Sequence, residues 1–238
     1  MERKVNKETV WRYERKFIVP NIISYNISNL IKSTPLCFSE IYAKRVVNNI
    51  YLDTPNYQFF KENINGLSER KKVRIRWYGE TFGDINPKLE IKYKSGNVGT
   101  KKTLQISPFN FPDRSLSVNP FSLSDSIRNL PLNYHWIKSL RVSLLNSYER
   151  SYYLSFDKMF RITVDKNLLY FPTSNSIKND FNYYLKEDST ILELKYLKQS
   201  DLDADLITNY FPFRMTRNSK YVNGIRLIHS LHSRKQRY

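Results

Sequence analysis

Charged side chains recur at every second position in several short stretches of this chain. Arg12, Glu14 and Lys16 alternate with Trp11, Tyr13 and Phe17. Arg74 and Arg76 alternate with Val73, Ile75 and Trp77, and Glu90, Lys92 and Lys94 with Leu89, Ile91 and Tyr93. Phe160-Arg161-Ile162-Thr163-Val164-Asp165 and Leu192-Glu193-Leu194-Lys195-Tyr196 repeat the pattern. Guanidinium groups grip phosphate oxygens two-pronged, and lysines add mobile point charges. Glutamates among them suit a divalent metal rather than the anion. Such a set of residues would take a densely charged anion.

A period of two is the signature of β-strands with one apolar and one charged face. Two arrangements satisfy it. The charges can sit in water on ordinary half-buried antiparallel strands. Alternatively, the strands close into a barrel of about eight that carries the charges inside, where there is room for side chains or a small ligand. The apolar faces then point outward and need helices to cover them, and low-dielectric walls focus the field along the tunnel.

Between the strands, Asp53-Thr54-Pro55-Asn56 predicts a turn in which Asp53 bonds to backbone amides. Ser95–Thr100 predicts a hairpin loop. The stretch 107–135, with Pro108, Pro112, Pro120 and Pro131, predicts an irregular or partly helical excursion, which we bound at about 104–146. Tyr221, Ile225, Ile228 and Leu231 fall at helical spacing, so a C-terminal amphipathic helix is expected from about 218. No composition shift marks a boundary, and we expect one domain over 1–238. The fold class expected is α+β.

Composition narrows the function. The 238 residues hold 39 Lys plus Arg against 22 Asp plus Glu, a formal charge of +17, with 40% hydrophobic and 15% aromatic residues. That composition excludes a disordered basic tail and calls for a polyanionic partner: nucleic acid, an anionic membrane or phosphate chains. A single cysteine, Cys37, excludes an internal disulfide and fits a reducing compartment. No apolar run approaches the roughly 18–20 residues that span a bilayer. Met1 to Glu8 is charged and lacks a signal-peptide core. A cytoplasmic location is expected.

Asn49-Ile50-Tyr51-Leu52-Asp53-Thr54-Pro55, then Gly66, then Arg70-Lys71-Lys72-Val73-Arg74-Ile75-Arg76-Trp77-Tyr78-Gly79, resembles the vacuolar transporter chaperone (VTC) domain. That domain is a polyphosphate polymerase module of the triphosphate tunnel metalloenzyme superfamily. Arg12–Phe17, Leu89–Lys94, Ser147–Arg150, Phe160–Asp165, Leu192–Tyr196 and Arg217–Tyr221 match in order, so the resemblance runs from about 11 to 228. It implies a closed antiparallel barrel whose basic tunnel takes ATP and a phosphate chain. Carried over by position, Lys16, Arg74, Arg76, Lys92, Arg150, Arg161 and Lys220 would act on the phosphates. Lys101 and Arg217 would join them in binding. Glu14 and Glu90 would either hold these cations by ion pairing or join Glu193, the implied ligand of Mn²⁺ or Mg²⁺.

The chemistry implied is transfer of the ATP γ-phosphate to a growing chain, releasing ADP. Phosphoryl transfer asks for positioning and charge neutralisation and needs no Ser-His-Asp or Cys-His constellation. Two alternatives stay open: a tunnel hydrolase of triphosphate or nucleoside triphosphate, and a non-catalytic polyanion- or RNA-binding module. Arg12 stands where hydrolytic members tend to carry the first Glu of Glu-x-Glu-x-Lys. Nucleic acid is the less expected partner. Eukaryotic members carry membrane helices and a regulatory phosphate-sensing domain that this sequence lacks, so a separate membrane protein is the expected partner for export.

Other features predict structure. Gly96-Asn97-Val98-Gly99-Thr100-Lys101 has two residues between its glycines where a P-loop needs four. His135, His229 and His232 form no ligand cluster and are expected on the surface, and Cys37 is expected buried or incidental. Tyr13, Trp77, Tyr93 and Tyr196 are expected in the core rather than on a base-stacking platform. The tail from Arg234 to Arg237 is expected solvated.

Overall fold

The computed structural model describes residues 10–111, 127, 130–172 and 184–235. The charged N-terminal Met1 to Glu8, Pro112 and Pro120, the end of the basic tail, and the side chains of Leu231 and His232 lie outside the described positions. The strands are β1 (Arg12–Val19), β2 (Ser39–Asp53), β3 (Glu69–Tyr78), β4 (Gly83–Ile85), β5 (Lys88–Ser95), β6 (Val98–Gln105), β7 (Phe109–Phe111), β8 (Arg141–Leu154), β9 (Arg161–Phe171), β10 (Leu185–Glu187) and β11 (Thr190–Leu197). The helices are α1 (Asn21–Ser24), α2 (Ile27–Lys32), α3 (Gln58–Ile64), α4 (Asp201–Thr208) and α5 (Lys220–Lys235).

Eight strands pair antiparallel in the order β9-β11-β1-β6-β5-β3-β2-β8, and β8 pairs back onto β9 to close the barrel. β10 lies on the same edge of β9 as β11, and β4 and β7 form a separate two-stranded sheet. The excursion is narrower than the sequence reading bounded it. β6 runs to Gln105 and β8 starts at Arg141, because residues at both ends of 104–146 find ladder partners in the barrel. β7 and a 3-10 turn over Leu132–Ser139 are its described structure. The β5–β6 loop is also tighter than expected. Ser95 pairs with Val98, Gly96 takes φ +53°, and Lys101 becomes a strand residue.

The alternation decides which face goes where. Ile50, Leu52, Val73, Ile75, Trp77, Leu89, Ile91 and Leu145 point outward and are buried under Phe59 of α3, Tyr134 and Ile137 of the 3-10 turn, and Ile85 and Phe111 of the small sheet. On another flank Phe17, Val19, Ile162, Val164, Leu192, Leu194 and Tyr196 pack under Ile27 and Ile31 of α2 and Ala204 and Ile207 of α4. Trp77 and Tyr196 are therefore core, with Tyr13 and Tyr93 packed beside them. The charged faces are left to line the lumen. Arg15 breaks the simple alternation. It lies on the outer face, donates to Tyr196 Oη, and pairs with Asp201 at 2.9 Å.

Helix α5 blocks part of the interior. Tyr221, Ile225 and Ile228 pack against Val47, Tyr51, Leu144, Tyr148, Leu168, Tyr170 and Ile191. Two details make this seat. Asn167 takes φ +53°, which shifts the β9 alternation and turns Leu168 and Tyr170 toward the helix. Gly224 leaves no room for a methyl group: a Cβ there would stand 2.6 Å from both Leu144 Cδ2 and Tyr170 Cδ1. Gly→Ala in a helix is ordinarily favourable. Here overpacking dominates, and Gly224→Ala is expected to lower unfolding free energy by about 1–3 kcal/mol in urea melts.

Asp53 is the turn residue the sequence predicts. Its carboxylate accepts from Thr54 N at 2.7 Å and from Phe59 N and Phe60 N at 2.9 Å, and Tyr221 Oη also donates to it. It thereby ties α3 and α5 to the end of β2. Cys37 is exposed rather than buried, because its positive φ of 46° puts it in a surface turn. Among the described residues no helix is long and apolar enough to cross a membrane.

Candidate active site

Cross-strand register gathers the site. Lys16 of β1 lies opposite Glu193 of β11, which lies opposite Thr163 of β9. One step along, Glu14 lies opposite Lys195, and Lys195 opposite Arg161. Around the Glu193 carboxylate stand Lys195 at 3.6 Å, Arg150 at 3.8 Å and Lys16 at 3.9 Å. All three are near enough for attraction but too far to donate a hydrogen bond. Burial alone would push this carboxyl up; Lys195, Lys16, Lys92 and Arg150 outweigh it and hold Glu193 well below the usual carboxylate range. Thr163 Oγ1, on the neighbouring strand, is buried with no hydrogen-bond partner among the described residues.

The other lumen carboxylates are committed. Glu90 accepts from Arg74 Nε at 2.8 Å and pairs with Arg74 Nη2 at 2.7 Å, with Arg76 at 3.7 Å and with Lys101. Asp165 takes a two-pronged contact from Arg150, whose Nη2 lies at 2.7 Å, and a third from Lys220 of α5. Burial opposes ionisation of Asp165, yet Arg150 and Lys220 hold it at about 2. Glu14 accepts from Lys92 through both oxygens. Glu14 and Glu90 thus both act in ion pairs, one of the two roles left open for them. Arg76 is further fixed by Asn49 Oδ1 at 2.8 Å and by Tyr148 Oη at 3.1 Å, and Asn49 is held by Asn146 at 2.9 Å.

The segment before α5 lies along β1. Thr216 N donates to the Lys16 carbonyl at 2.8 Å, and Lys16 Nζ donates to the Asn218 carbonyl at 3.0 Å. Lys72 Nζ donates to Ser219 Oγ at 2.7 Å. Lys16, Arg74, Arg76, Lys92, Lys101, Arg150 and Lys220 are therefore brought together. Arg161 and Arg217 are not part of that packed set. Arg161, the first residue of β9, is exposed, and Arg217 is exposed beside Gly66, with Nη1 3.6 Å from where a Cβ there would sit.

The sequence reading missed Lys72, Lys195, Tyr148 and Asp165. The first two share strand parity with Arg74 and Glu193, which was the available signal. Burial and the neighbouring cations push Lys72 well down and Lys195 down less, while burial followed by Arg70 and Lys92 brings Lys94 to about 8. Lys16, Arg74 and Arg150 are instead held charged by Glu193, Glu90 and Asp165, so Lys72, Lys94 and Lys195 are the cations that an added anion would most favour.

Among the described residues no group of three or more His, Cys, Asp or Glu could hold a metal ion. A hard divalent cation needs only one or two carboxylates when phosphate oxygens and water complete its shell. Glu193 and Glu14 interact electrostatically, and Glu193 has lone pairs to which no described side chain donates a hydrogen bond. Glu193 fits such an ion, and Glu14 would join it only by giving up Lys92.

The fold has relatives among solved structures. The PH1819 protein from Pyrococcus horikoshii OT3 matches at TM-score 0.52 and 16% identity, covering 92% of this chain and 98% of its own. A candidate adenylate cyclase from Vibrio parahaemolyticus matches at 0.50 and 12%, covering 89% and 96%. A candidate adenylyl cyclase from Hippeastrum, described as having a dominant triphosphatase activity, matches at 0.50 and 10%, covering 90% and 94%. No curated protein matches the sequence. These similarities establish the tunnel barrel as the fold. The VTC domain model matches residues 11–229, which span every barrel strand and most of α5, and the chain belongs to the VTC domain family.

Proposed function

We propose that this protein is a polyphosphate polymerase that transfers the γ-phosphoryl group of ATP to the end of a polyphosphate chain inside the barrel. The observation that carries this reading is the lumen itself: a closed wall of Lys and Arg around Glu193, a buried carboxylate to which no described side chain donates a hydrogen bond. The tunnel fold, shared with a protein described as a triphosphatase, supports phosphate-chain chemistry. A cytoplasmic location, where ATP is supplied, fits this reading.

Each residue has a physical task. Arg74, Arg76 and Arg150 are held rigid by Glu90, Asn49 and Asp165, so they meet phosphate oxygens without first being ordered. Lys16, Lys92, Lys101 and Lys220 add charge along the path, with Arg161 and Arg217 extending it outward. Glu193 would hold Mn²⁺ or Mg²⁺, joined by Glu14 if it releases Lys92, and the ion would neutralise phosphate charge and polarise the transferring group. In the transfer, the bond from the γ-phosphorus to the β–γ bridging oxygen breaks and a bond to a terminal oxygen of the chain forms. ADP leaves, and the chain grows by one phosphate. The attacking oxygen is already anionic, so no general base is required. His135 Nε2 donates to the Leu130 carbonyl, and His229 packs on Tyr57 and Phe60, consistent with neither having a part in transfer.

The ratio of products tests this reading. A polymerase releases ADP with far less free phosphate. Equal amounts of ADP and phosphate would make the protein a tunnel hydrolase, and salt-sensitive anion binding with neither product would make it a binding module.

A further inference from the structure

One rim of the barrel carries an aromatic and cationic cluster that the phosphate chemistry does not use. β2 pairs with β3 only from Val47 onward, so its first residues extend past the end of β3 and pair with β8 alone. In that extension the β2–β8 register shifts twice, between Glu40 and Tyr42 and between Tyr42 and Arg45. Bulges of this kind re-aim side chains at barrel rims. Here they bring Tyr42 and Arg45 beside Tyr78, the last residue of β3, and Tyr152 of β8. The Arg45 guanidinium lies 4.6 Å from the Tyr42 ring centre and 5.8 Å from those of Tyr78 and Tyr152. Tyr42 and Tyr152 meet edge to face at 5.6 Å.

The cluster is continuous with the tunnel wall and open to solvent. Arg45 lies opposite Arg150 in the β2–β8 register, and Tyr152 interacts electrostatically with Arg150 and Arg76. Yet Tyr42 and Tyr78 are 48% and 51% exposed. Large ring faces left half in water at the mouth of a phosphate site are suited to a planar ligand, because aromatic and guanidinium planes stack on bases whatever their hydrogen-bonding edges.

We propose that Tyr42, Arg45, Tyr78 and Tyr152 form the stacking site for the purine base of a nucleoside triphosphate whose phosphates enter the lumen toward Arg76 and Arg150. This inference rests on the reading that the lumen binds triphosphate. It adds that the donor nucleotide is held by its base at this rim. A phosphate chain, which has no base, passes without using the rings.

Calorimetric titration tests it with two probes, the β,γ-imido analogue of ATP with Mg²⁺ and tripolyphosphate with Mg²⁺. Tyr42→Ala and Arg45→Ala are each expected to weaken the nucleotide analogue about tenfold, within the range of a single stacked base. Both should leave tripolyphosphate affinity unchanged, and Tyr42→Phe should keep the parent's affinity for both. An unchanged nucleotide affinity in both alanine variants, or an equal loss for both probes, would overturn the stacking site while leaving the tunnel reading in place. Failure of tripolyphosphate to bind the parent protein would overturn the tunnel reading, and this one with it.

Discussion

Replacing Glu193 with alanine is expected to abolish metal-dependent turnover, with kcat falling about 10³-fold. A metal at a transferring phosphate contributes several kcal/mol of charge stabilisation, and each 1.36 kcal/mol is a factor of ten. Glu193 is the described lumen carboxylate whose surrounding cations all stop short of hydrogen-bonding distance, so its loss removes a ligand together with its looser ion pairs to Lys195, Arg150 and Lys16, and breaks no hydrogen-bonded pair among the described residues. Three results should come together. Mn²⁺ affinity measured by titration falls, turnover falls, and tripolyphosphate still binds, because the variant lumen is more positive than the parent's. Turnover within tenfold of the parent at saturating metal would remove Glu193 from the metal site.

Asp165→Asn should show the opposite profile, with the largest effect on stability. Asp165 is fully buried, and its carboxylate holds both Arg150 and Lys220. Removing one member of a buried charged set leaves the others uncompensated, which costs about 3–5 kcal/mol. The same change detaches Lys220, the first residue of α5, from the barrel wall. Tripolyphosphate binds the folded state and should raise the melting temperature of the parent. It should recover part of the loss in Asp165→Asn, since phosphate oxygens can take the place of the missing carboxylate in front of Arg150. A variant as stable as the parent without added anion would mean that Arg150 and Lys220 reach water in the empty barrel.

These two residues also mark how far the sequence could be read. Glu193 was legible: it follows the period-two pattern and sits in a stretch matching the family. The strands were legible from the same pattern, since Arg74 and Arg76 against Val73, Ile75 and Trp77 require one charged and one apolar face, but the pattern fits half-buried strands as well, and the closed barrel followed from the resemblance to the family. Asp165 belonged to a recognised stretch, but its role did not show. That role depends on β8 pairing with β9, which puts Arg150 opposite Asp165, and on α5 delivering Lys220 to the same carboxylate. Closure is a property of the whole sheet, and no single strand announces it.

Departures from strict alternation were hidden for a related reason. The positive φ at Asn167 shifts the register of β9, and the bulges near Tyr42 and Arg45 re-aim β2. Neither carries the Gly or Pro that would have marked it. Arg15 shares a stretch with the lumen residues Glu14 and Lys16 but serves the outer face. Its partners Asp201 and Asp205 lie on a helix far along the chain.

The central claim is that the cation-lined lumen builds phosphate chains. Incubation of the protein with ATP and Mn²⁺, resolved on a gel stained for polyphosphate, tests it most directly. The account predicts a ladder of chains that lengthens with time alongside ADP and vanishes in Glu193→Ala. ATP consumed to ADP and free phosphate with no chain at any time would contradict it.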